Sequence, residues 1–500
     1  MACLYVLVMC IIALGFLFIS LSTLYNLTYW KRRKVLHLVV MPVLGKNASI
    51  FFRQISFPQH SQYLYNMYPE ARYYGTFDFN TPIIIMKDPD LIRDICVKHF
   101  DNFPNHRSFV TEEMDPIVGR NLFSLKDQRW KEFRNTLSPS FTANKIKIMF
   151  QLISECAKEF VQYFMEHLEL AKSFEAKDVF TRYTNDVIAT TAFGIQVNSM
   201  QDCKNEFYIY GKDATYFSSP LRLMKFILFR YFPKLLRMTG ERFMSRSTNR
   251  FFNQLVTATV KMREEKGIIR PDMIQLLIQA KDKNNGLNVT IDDIIGQAFI
   301  FFLAGFDTVS TLMCFTAYEL AAHLDIQEKV RQEIEKQLQI ENGQITYESV
   351  RRMKYLDMVL NEILRLYPPA PMIDRVCTKE FVMPPSVKGY PEYRVDVGTN
   401  IVMPVFGLHH DPKYFPEPDR FIPERFSEEN KNKINPHVYM PFGLGPRKCI
   451  GNRFALMETK ILFVYILRKF IIKFTDKSTY PVIFCKKTFN LSIEGGFLIK

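Results

Sequence analysis

The stretch PFGLGPRKCIG, residues 441–451, places one cysteine, Cys449, in an unusual chemical setting. Arg447 and Lys448 come directly before it, and three turn-forming residues precede them, namely Gly443, Gly445 and Pro446. An ordinary buried cysteine behaves as a small hydrophobe and prefers apolar neighbours. Because nearby cations lower the pKa of a thiol, this stretch predicts a thiolate with a large flat group against it.

The residues around Cys449 extend that prediction. The sequence from about Asn452 to Phe470 has the pattern of a helix, whose first-turn amides would stabilise negative charge on the sulfur. Gly443 and Gly445 would let the backbone run close beneath a planar ligand, and Phe442 could shield the thiolate from water. A turn that only happens to contain a cysteine remains the alternative at this point.

Composition limits the class of protein. Apolar residues make up 48% of the 500 residues and charged residues 23%, so the chain can bury a large core and is not disordered. Most of it has helical patterns, with strands and loops in the C-terminal quarter. The net charge of +14 suits an anionic membrane or an acidic partner, and no nucleic-acid motif accompanies it. The nine scattered cysteines include no CxxC pair, which argues against a zinc ribbon.

The N-terminus predicts a membrane anchor. Residues 1–30 contain no charged side chain, and the basic run KRRK follows at 31–34. The apolar stretch exceeds the 7–15 residues typical of a signal peptide and lacks a basic start, so we expect an uncleaved helix. The positive-inside rule then places the rest of the chain in the cytosol, with Tyr25, Tyr29 and Trp30 at the interface.

A second apolar stretch, residues 290–323, predicts a central buried helix with Thr290 as its N-cap. Asp307 and the lack of a basic flank argue against a membrane span. Asp307 and Thr308 are polar groups in an apolar interior and require partners. Gly305 would leave a gap above whatever lies against the helix. Together these residues indicate a small-molecule pocket with a proton path, and a polar kink in a core helix is the alternative.

Each of three further motifs is weak evidence for a functional site when it is taken alone. Glu362 and Arg365 stand at i and i+3 in NEILRLYPP, a spacing common in surface salt bridges. Arg425 in FIPERF could complete a buried triad with them. Trp130 and Arg134 in RWKEFR share one helix face, which suits contact with an anionic ring substituent.

The five motifs occur in the order W-x-x-x-R, A-G-x-D-T, E-x-x-R, P-E-R-F and F-x-x-G-x-R-x-C-x-G over residues 130–451. This combination resembles the cytochrome P450 family, in particular the microsomal, membrane-anchored type and the animal branch that holds insect detoxification enzymes. The resemblance implies a mainly α fold with a smaller β region. It predicts a membrane anchor at residues 1–30, a basic stop-transfer and connector at 31–60, and a single large haem-thiolate domain at 61–500.

The resemblance also implies roles for individual residues. Cys449 matches the axial ligand of a haem b iron, and Asp307 with Thr308 matches the pair that relays protons on the distal side. The remaining matches are the cofactor-binding residues Trp130, Arg134, Arg375, Arg447 and Phe442 and the structural triad Glu362, Arg365 and Arg425.

The activity implied is that of a monooxygenase, which inserts one atom of O₂ into a lipophilic small molecule in xenobiotic or hormone metabolism. Electrons would come from NADPH through NADPH–cytochrome P450 reductase, with cytochrome b5 as a further partner, at the endoplasmic reticulum membrane facing the cytosol. A haem-thiolate isomerase or dehydratase is one alternative, and a non-catalytic haem protein is another. The acid–threonine pair argues against the isomerase.

Two departures from the family pattern bear on these expectations. Val309 stands where the family usually has Ser or Thr, which removes one hydroxyl from the distal helix. Only Pro42 represents the proline-rich hinge after the anchor, which predicts a less rigid docking of anchor to body. The adjacent His409 and His410 are expected on a strand, where they would point to opposite faces and serve a structural role.

Overall fold

The computed structural model describes residues 2–108, 110–216, 218–270, 272–282 and 289–500. The chain forms two compact units. The first, here called the sheet unit, comprises Met1–Arg107, Ala370–Pro418 and Ile434–Lys448. The second, here called the helical unit, comprises Ser108–Pro369, Asp419–Lys433 and Cys449–Lys500.

Helices dominate the described residues, as the sequence predicts. The first ten are α1 (Ala2–Arg32), α2 (Ala48–Phe51), α3 (Phe57–Asn66), α4 (Pro89–Arg93), α5 (Pro116–Gly119), α6 (Asp127–Leu137), α7 (Ala143–Glu166), α8 (Leu168–Ala171), α9 (Ala176–Ile188) and α10 (Glu206–Thr215). The others are α11 (Pro220–Tyr231), α12 (Pro233–Met238), α13 (Arg246–Lys266), α14 (Met273–Asp282), α15 (Ile291–Ala322), α16 (Leu324–Ile340), α17 (Tyr347–Arg352), α18 (Lys354–Leu366), α19 (Val405–His409) and α20 (Asn452–Leu467).

The strands are short and form small sheets. They are β1 (Tyr73–Asp78), β2 (Thr81–Met86), β3 (Phe174–Glu175), β4 (Ile373–Val376), β5 (Phe381–Met383), β6 (Tyr393–Val395), β7 (Asn400–Met403) and β8 (Leu498–Ile499). In the sheet unit, a four-stranded sheet has the order β1-β2-β7-β4, in which β2 and β7 are parallel and the other pairs antiparallel. Strands β5 and β6 pair beside it, and β3 pairs with β8 in the helical unit.

The C-terminal end of α1 is docked on the sheet unit. Trp30 is fully buried, and its indole lies so close to Gly75 that a Cβ added there would be 2.4 Å from the ring. The indole N–H donates to the carbonyl of Thr76 at 3.0 Å, and Arg33 pairs with Asp396 at 2.9 Å. Trp30 therefore packs against protein and does not lie at a lipid interface. These contacts hold the C-terminal end of α1 on the sheet unit without a proline-rich hinge.

The two long apolar helices differ in exposure. From Ala13 to Leu21, every side chain of α1 is exposed. Helix α15 is long and apolar enough to cross a membrane by length and composition, but 61% of its apolar window is buried. It packs against α5, α9, α13 and α18. The prediction of a central buried helix is therefore confirmed.

Helix α15 also begins with the N-cap residue that the sequence predicts, Thr290. Thr290 Oγ1 accepts from the N–H of Asp293 at 3.2 Å, and the Asp293 carboxylate accepts from the N–H of Thr290 at 2.9 Å. This reciprocal capping box satisfies backbone donors that have no partner within the helix. The N-terminus of the central helix is thereby fixed by local sequence.

The paired histidines lie at the end of a helix rather than on a strand, which corrects the predicted secondary structure. His409 ends α19 and is fully buried, and its Nε2 accepts from the N–H of Met440 at 3.1 Å. His410 Nδ1 lies 2.9 Å from the carbonyl of Phe406, one helical turn back. Both contacts fit the structural role expected for these residues.

Candidate functional site

Cys449 lies directly before a helix, as its sequence context predicts. The residue is exposed, and α20 begins at Asn452 with Gly451 at the N-cap and no side-chain cap. The first N–H groups of a helix have no partner within it and carry partial positive charge. An exposed thiol at this position is therefore set up to carry negative charge.

Arg134 lies within electrostatic range of that thiol. It is on α6, one turn after Trp130, which is 3% exposed. Burial holds the pKa of Arg134 below its ordinary value, and the negative charge of Cys449 acts in the opposite direction. The structure therefore brings together two residues that are 315 positions apart in sequence and were assigned to one site from separate motifs.

An aromatic residue that sequence reasoning missed connects this region to α15. The Phe141 ring lies 3.6 Å from the position a Cβ would take on Gly451. Its centroid is 5.5 Å from that of Phe301 on α15. Phe141 therefore lies between the start of α20 and the central helix. The surrounding sequence offers no motif that could have identified it.

One face of α15 is open. Ala304 and Thr308, one turn apart, are exposed, whereas Phe302, Phe306 and Val309 are buried. The Thr308 hydroxyl donates to the carbonyl of Ala304 at 2.5 Å. The buried position of Val309 means that this departure from the family pattern lies on the packed side of the helix, away from the face that carries Thr308.

Gly305 has a different role from the one predicted. A Cβ at this position would lie 2.5 Å from the Cδ1 atom of Ile188 on α9. The missing side chain thus allows two helices to pack closely and does not leave a gap for a ligand. The exposed positions near Gly305 on α15 are Ala304 and Thr308.

Asp307 and Thr308 contact different partners. The Asp307 carboxylate pairs with Lys177 of α9, with 2.9 Å between Oδ1 and Nζ. Thr308 bonds within its own helix, on the exposed face. The two residues are adjacent, but their functional groups are held by different elements. Lys177 was missed by sequence reasoning because it lies 130 positions before Asp307.

The predicted triad is present in the helical unit. Glu362 and Arg365 are both fully buried and form two hydrogen bonds of 2.8 Å between guanidinium and carboxylate. Arg425 Nε adds a third contact at 3.3 Å to Glu362 Oε1. The N–H of Ile422 donates to the same oxygen at 3.1 Å. The motif pair that could have been a surface salt bridge is therefore a buried network.

In the sheet unit, the two predicted arginines surround one histidine. Arg375 is 1% exposed, and its Nη1 lies 3.4 Å from His106 Nδ1. Burial holds the pKa of His106 below its ordinary value, and the charges of Arg375 and Arg447 lower it further against the opposing effect of Asp374. His106 was missed because nothing in its local sequence marks it.

Both arginines are anchored by main-chain oxygens of this unit. Arg447 Nε donates to the carbonyl of Pro104 at 2.7 Å, and Arg375 Nη2 donates to that of Leu444 at 2.9 Å. Within the described part of the chain, Arg375 Nε is buried and has no hydrogen-bond partner. Phe442 is half-buried in the same loop.

The glycines of this loop have distinct roles. Gly445 has a φ of +71°, and a Cβ there would lie 1.9 Å from the carbonyl oxygen of Cys96. It is therefore needed for close approach to protein backbone, which corrects the prediction that it makes room for a ligand. Gly443, with a φ of +76°, has only the Cα of Lys448 nearby, at 3.9 Å. The space beside Gly443 remains compatible with that prediction.

Comparison with known proteins agrees with the motifs. The family model described as Cytochrome P450 matches residues 42–499. The chain is 44% identical to cytochrome P450 9e2 of Blattella germanica, over 95% of this chain and 93% of that protein. It is 41% identical to probable cytochrome P450 9f2 of Drosophila melanogaster over 95% of each chain. It is 36% identical to cytochrome P450 6a8 of the same fly, over 95% and 94%. The chain therefore belongs to the cytochrome P450 family of oxidoreductases, which are monooxygenases that bind haem iron through a cysteine thiolate.

Proposed function

We propose that this P450 inserts one atom of O₂ into a lipophilic small molecule, with electrons that NADPH supplies through a reductase, in xenobiotic metabolism. The observation that carries the proposal is the exposed Cys449 before α20, within electrostatic range of Arg134. The 44% identity to an insect P450 over nearly the whole chain supports the insect type. Hormone metabolism would use the same chemistry.

Three features of the chain fit a haem. The Cys449 thiol is exposed where a helix begins, which is the donor chemistry that iron requires. Ala304 and Thr308 leave one face of a mostly buried helix open. Arg375 has a buried Nε without a partner in the described residues, and a haem carboxylate is a suitable acceptor. When bound, the haem supplies the binding and activation of O₂.

The residues of the chain divide the remaining work. We assign the iron ligand to Cys449, whose thiolate would set the electronic properties of the iron, and the shielding of that sulfur from water to Phe442. We assign the binding of the haem carboxylates to Trp130, Arg134, Arg375 and Arg447. Glu362, Arg365 and Arg425 hold the fold around α18 and do not contact the reacting atoms.

Proton delivery falls to Asp307 and Thr308. The hydroxyl of Thr308 lies on the open face of α15, where it can pass a proton at its Oγ1 atom. Asp307 is partly exposed and can exchange protons with solvent. This pair favours a monooxygenase over an isomerase or dehydratase, which needs no proton supply to oxygen. It also favours an enzyme over a non-catalytic haem protein.

We infer the redox partners and the cellular location from the net charge and from helix α1. The net charge of +14 suits an acidic redox partner such as NADPH–cytochrome P450 reductase, and the exposed Lys448 beside Cys449 is a candidate contact. Cytochrome b5 is a second candidate partner. The exposed apolar run Ala13–Leu21 and the basic run after it favour an anchor in the endoplasmic reticulum membrane, with the body in the cytosol.

Reconstitution with purified reductase tests the proposal. A 7-alkoxycoumarin serves as a lipophilic probe, because oxidation next to its ether oxygen releases a fluorescent phenol. We expect NADPH and O₂ to be consumed as phenol appears. We also expect Thr308→Ala to release more hydrogen peroxide per NADPH. Thr239→Ala is a matched control, since the exposed Thr239 hydroxyl also bonds a main-chain carbonyl, that of Leu236, at 2.8 Å.

Two results would overturn the proposal. One is a haem-loaded protein that consumes no NADPH with reductase and a panel of lipophilic probes. The other is conversion of an organic peroxide to a rearranged product with no need for reductase, which would identify an isomerase.

A further inference from the structure

Lys177 contacts the central helix at the position of the proposed proton donor. It lies in the first turn of α9, and its ammonium reaches four oxygens of α15. These are the carboxylate of Asp307 at 2.9 Å, the carbonyl of Asp307 at 2.9 Å, the hydroxyl of Ser310 at 2.8 Å and the hydroxyl of Thr311 at 2.7 Å. Among the described residues, Lys177 is the only cation paired with Asp307. A lysine that serves only as a surface charge does not need this many partners on one helix.

The contact belongs to a polar seam between α9 and α15. Thr181 Oγ1 lies 3.2 Å from Ser310 Oγ, and the Thr184 hydroxyl donates to the carbonyl of Phe306 at 2.9 Å. Ser310 is fully buried and Thr311 is 1% exposed, so the ammonium binds groups that have little access to water. Gly305 keeps the two helices close enough for these contacts, because it leaves room for Ile188.

The seam has one end in solvent. The side chains of Lys177 and Asp307 are 25% and 22% exposed, whereas Ser310 and Thr184 are fully buried. Asp307 thus lies at the solvent-exposed end of the seam. It also directly precedes Thr308 in the chain. The Asp307 carboxylate is directed towards Lys177 on α9. Its orientation depends on the cation that holds it.

We propose that Lys177 is a positioning residue for oxygen activation, which holds the Asp307 carboxylate at the solvent end of the seam. A proton taken up by this carboxylate from water passes towards Thr308, while Lys177 keeps its own three hydrogens. The inference rests on the monooxygenase function proposed above. Loss of Lys177 would leave Asp307 free to adopt orientations from which it cannot supply Thr308.

The test compares Lys177→Met, Lys177→Arg and Lys172→Met in the full-length, haem-loaded protein. Lys172 is a matched control because it is 78% exposed and pairs with Glu169, at 3.4 Å. With reductase and the 7-alkoxycoumarin probe, we expect Lys177→Met to lower product per NADPH about tenfold, with hydrogen peroxide released instead. Lys177→Arg should recover part of the loss. Product formed with added hydrogen peroxide should be unchanged, since peroxide already carries its protons.

A second readout does not depend on turnover. In a double-mutant cycle of denaturant unfolding, Lys177→Met and Asp307→Asn should have effects that are clearly less than additive. The corresponding cycle for Lys172 and Glu169 should be additive. If Lys177→Met does not accumulate, Lys177→Gln, which keeps a donor, takes its place in both measurements.

The outcomes separate the two proposals. A wild-type protein that takes up haem but consumes no NADPH would overturn the monooxygenase function, whatever the unfolding cycle gives. A wild-type protein that turns over while Lys177→Met matches Lys172→Met in product per NADPH would overturn the role of Lys177 alone. Equal losses in the NADPH-driven and peroxide-driven reactions would also overturn it, because they would point to general damage of the fold.

Discussion

Two glutamates of the helical unit are both fully buried, yet their surroundings are opposite. Glu362 on α18 accepts three arginine contacts of 2.8 to 3.3 Å. Glu458 on α20 has no hydrogen-bond partner for either carboxylate oxygen among the described residues. Burial alone therefore does not decide the state of a carboxyl group. Partners do, because an isolated buried charge is far costlier than a paired one.

The difference bears on the cost of burying each group. Burial holds the pKa of Glu458 well above its ordinary value of 4.5, which favours the neutral acid. Glu362 instead lies between two cations, Arg365 and Arg425. A third glutamate, Glu319, has hydroxyl partners. It is 1% exposed and is bonded by the hydroxyls of Tyr367 at 2.5 Å and Tyr480 at 3.2 Å.

The largest loss of stability is expected when the buried ion pair of Glu362 and Arg365 is broken. Arg365→Met leaves the Glu362 carboxylate without its closest cation, which should cost about 3–5 kcal/mol of unfolding free energy. We expect little folded, haem-containing protein. Arg351→Met is the control, since Arg351 has the same i, i+3 spacing to Glu348 but is 66% exposed. Equal yields for the two variants would show that the triad does not stabilise the fold.

A smaller effect is expected where the partner is a hydroxyl. Tyr367→Phe removes one donor from the buried Glu319 and should lower the free energy of unfolding by about 1–3 kcal/mol. Tyr480→Phe should cost less, because Tyr480 is 43% exposed and its bond is longer. Denaturant titration of both variants measures this. The opposite order would contradict the view that burial of the bond sets its value.

The smallest effect on stability at low pH should come from substitution of Glu458. Because the pKa of Glu458 is higher in the folded protein than in the unfolded chain, this residue favours folding most at low pH. Its full contribution to the free energy of unfolding is present below 4.5, the pKa in the unfolded chain. That contribution is lost as the pH rises towards the pKa of the folded protein. Glu458→Gln removes that loss. We expect the variant to be more stable than wild type above pH 4.5, with a gain that grows as the pH rises.

Thermal unfolding of both proteins between pH 5 and pH 8 provides the measurement for Glu458. Parallel pH profiles would mean that Glu458 is ionised or paired in the folded state. The contrast with Glu362 would then be lost.

The sequence predicted those parts of the site that are encoded locally. Cys449 before a helix, the capping box at Thr290 and the Glu362–Arg365 spacing all depend on residues within one or two turns of each other. Arg425 lies 63 positions from Glu362, and its own sequence context indicated only that it could complete the triad. Charge and apolar patterning also predicted which long helix would be buried.

The parts that could not be predicted depend on distant contacts. Lys177 meets Asp307 and Phe141 meets Phe301 because helices pack, and neither residue has a local marker. Gly305 and Gly445 were assigned to ligand space, but packing against Ile188 and the Cys96 carbonyl requires them. Glu458 gave no signal at all, since a glutamate on a helix is ordinarily exposed. Spacing along the chain predicts which side chains share one face of a helix or strand. The residues that contact that face depend on the fold.

The axial ligand is the central claim, and the carbon monoxide difference spectrum of the reduced full-length protein tests it most directly. Wild type should show the red-shifted Soret band of thiolate-ligated ferrous haem, and Cys449→Ser should lose it. Cys485→Ser, at a half-buried cysteine in the same unit, should keep it. A thiolate-type band that survives in Cys449→Ser, or a wild-type protein with the spectrum of histidine ligation, would contradict the assignment.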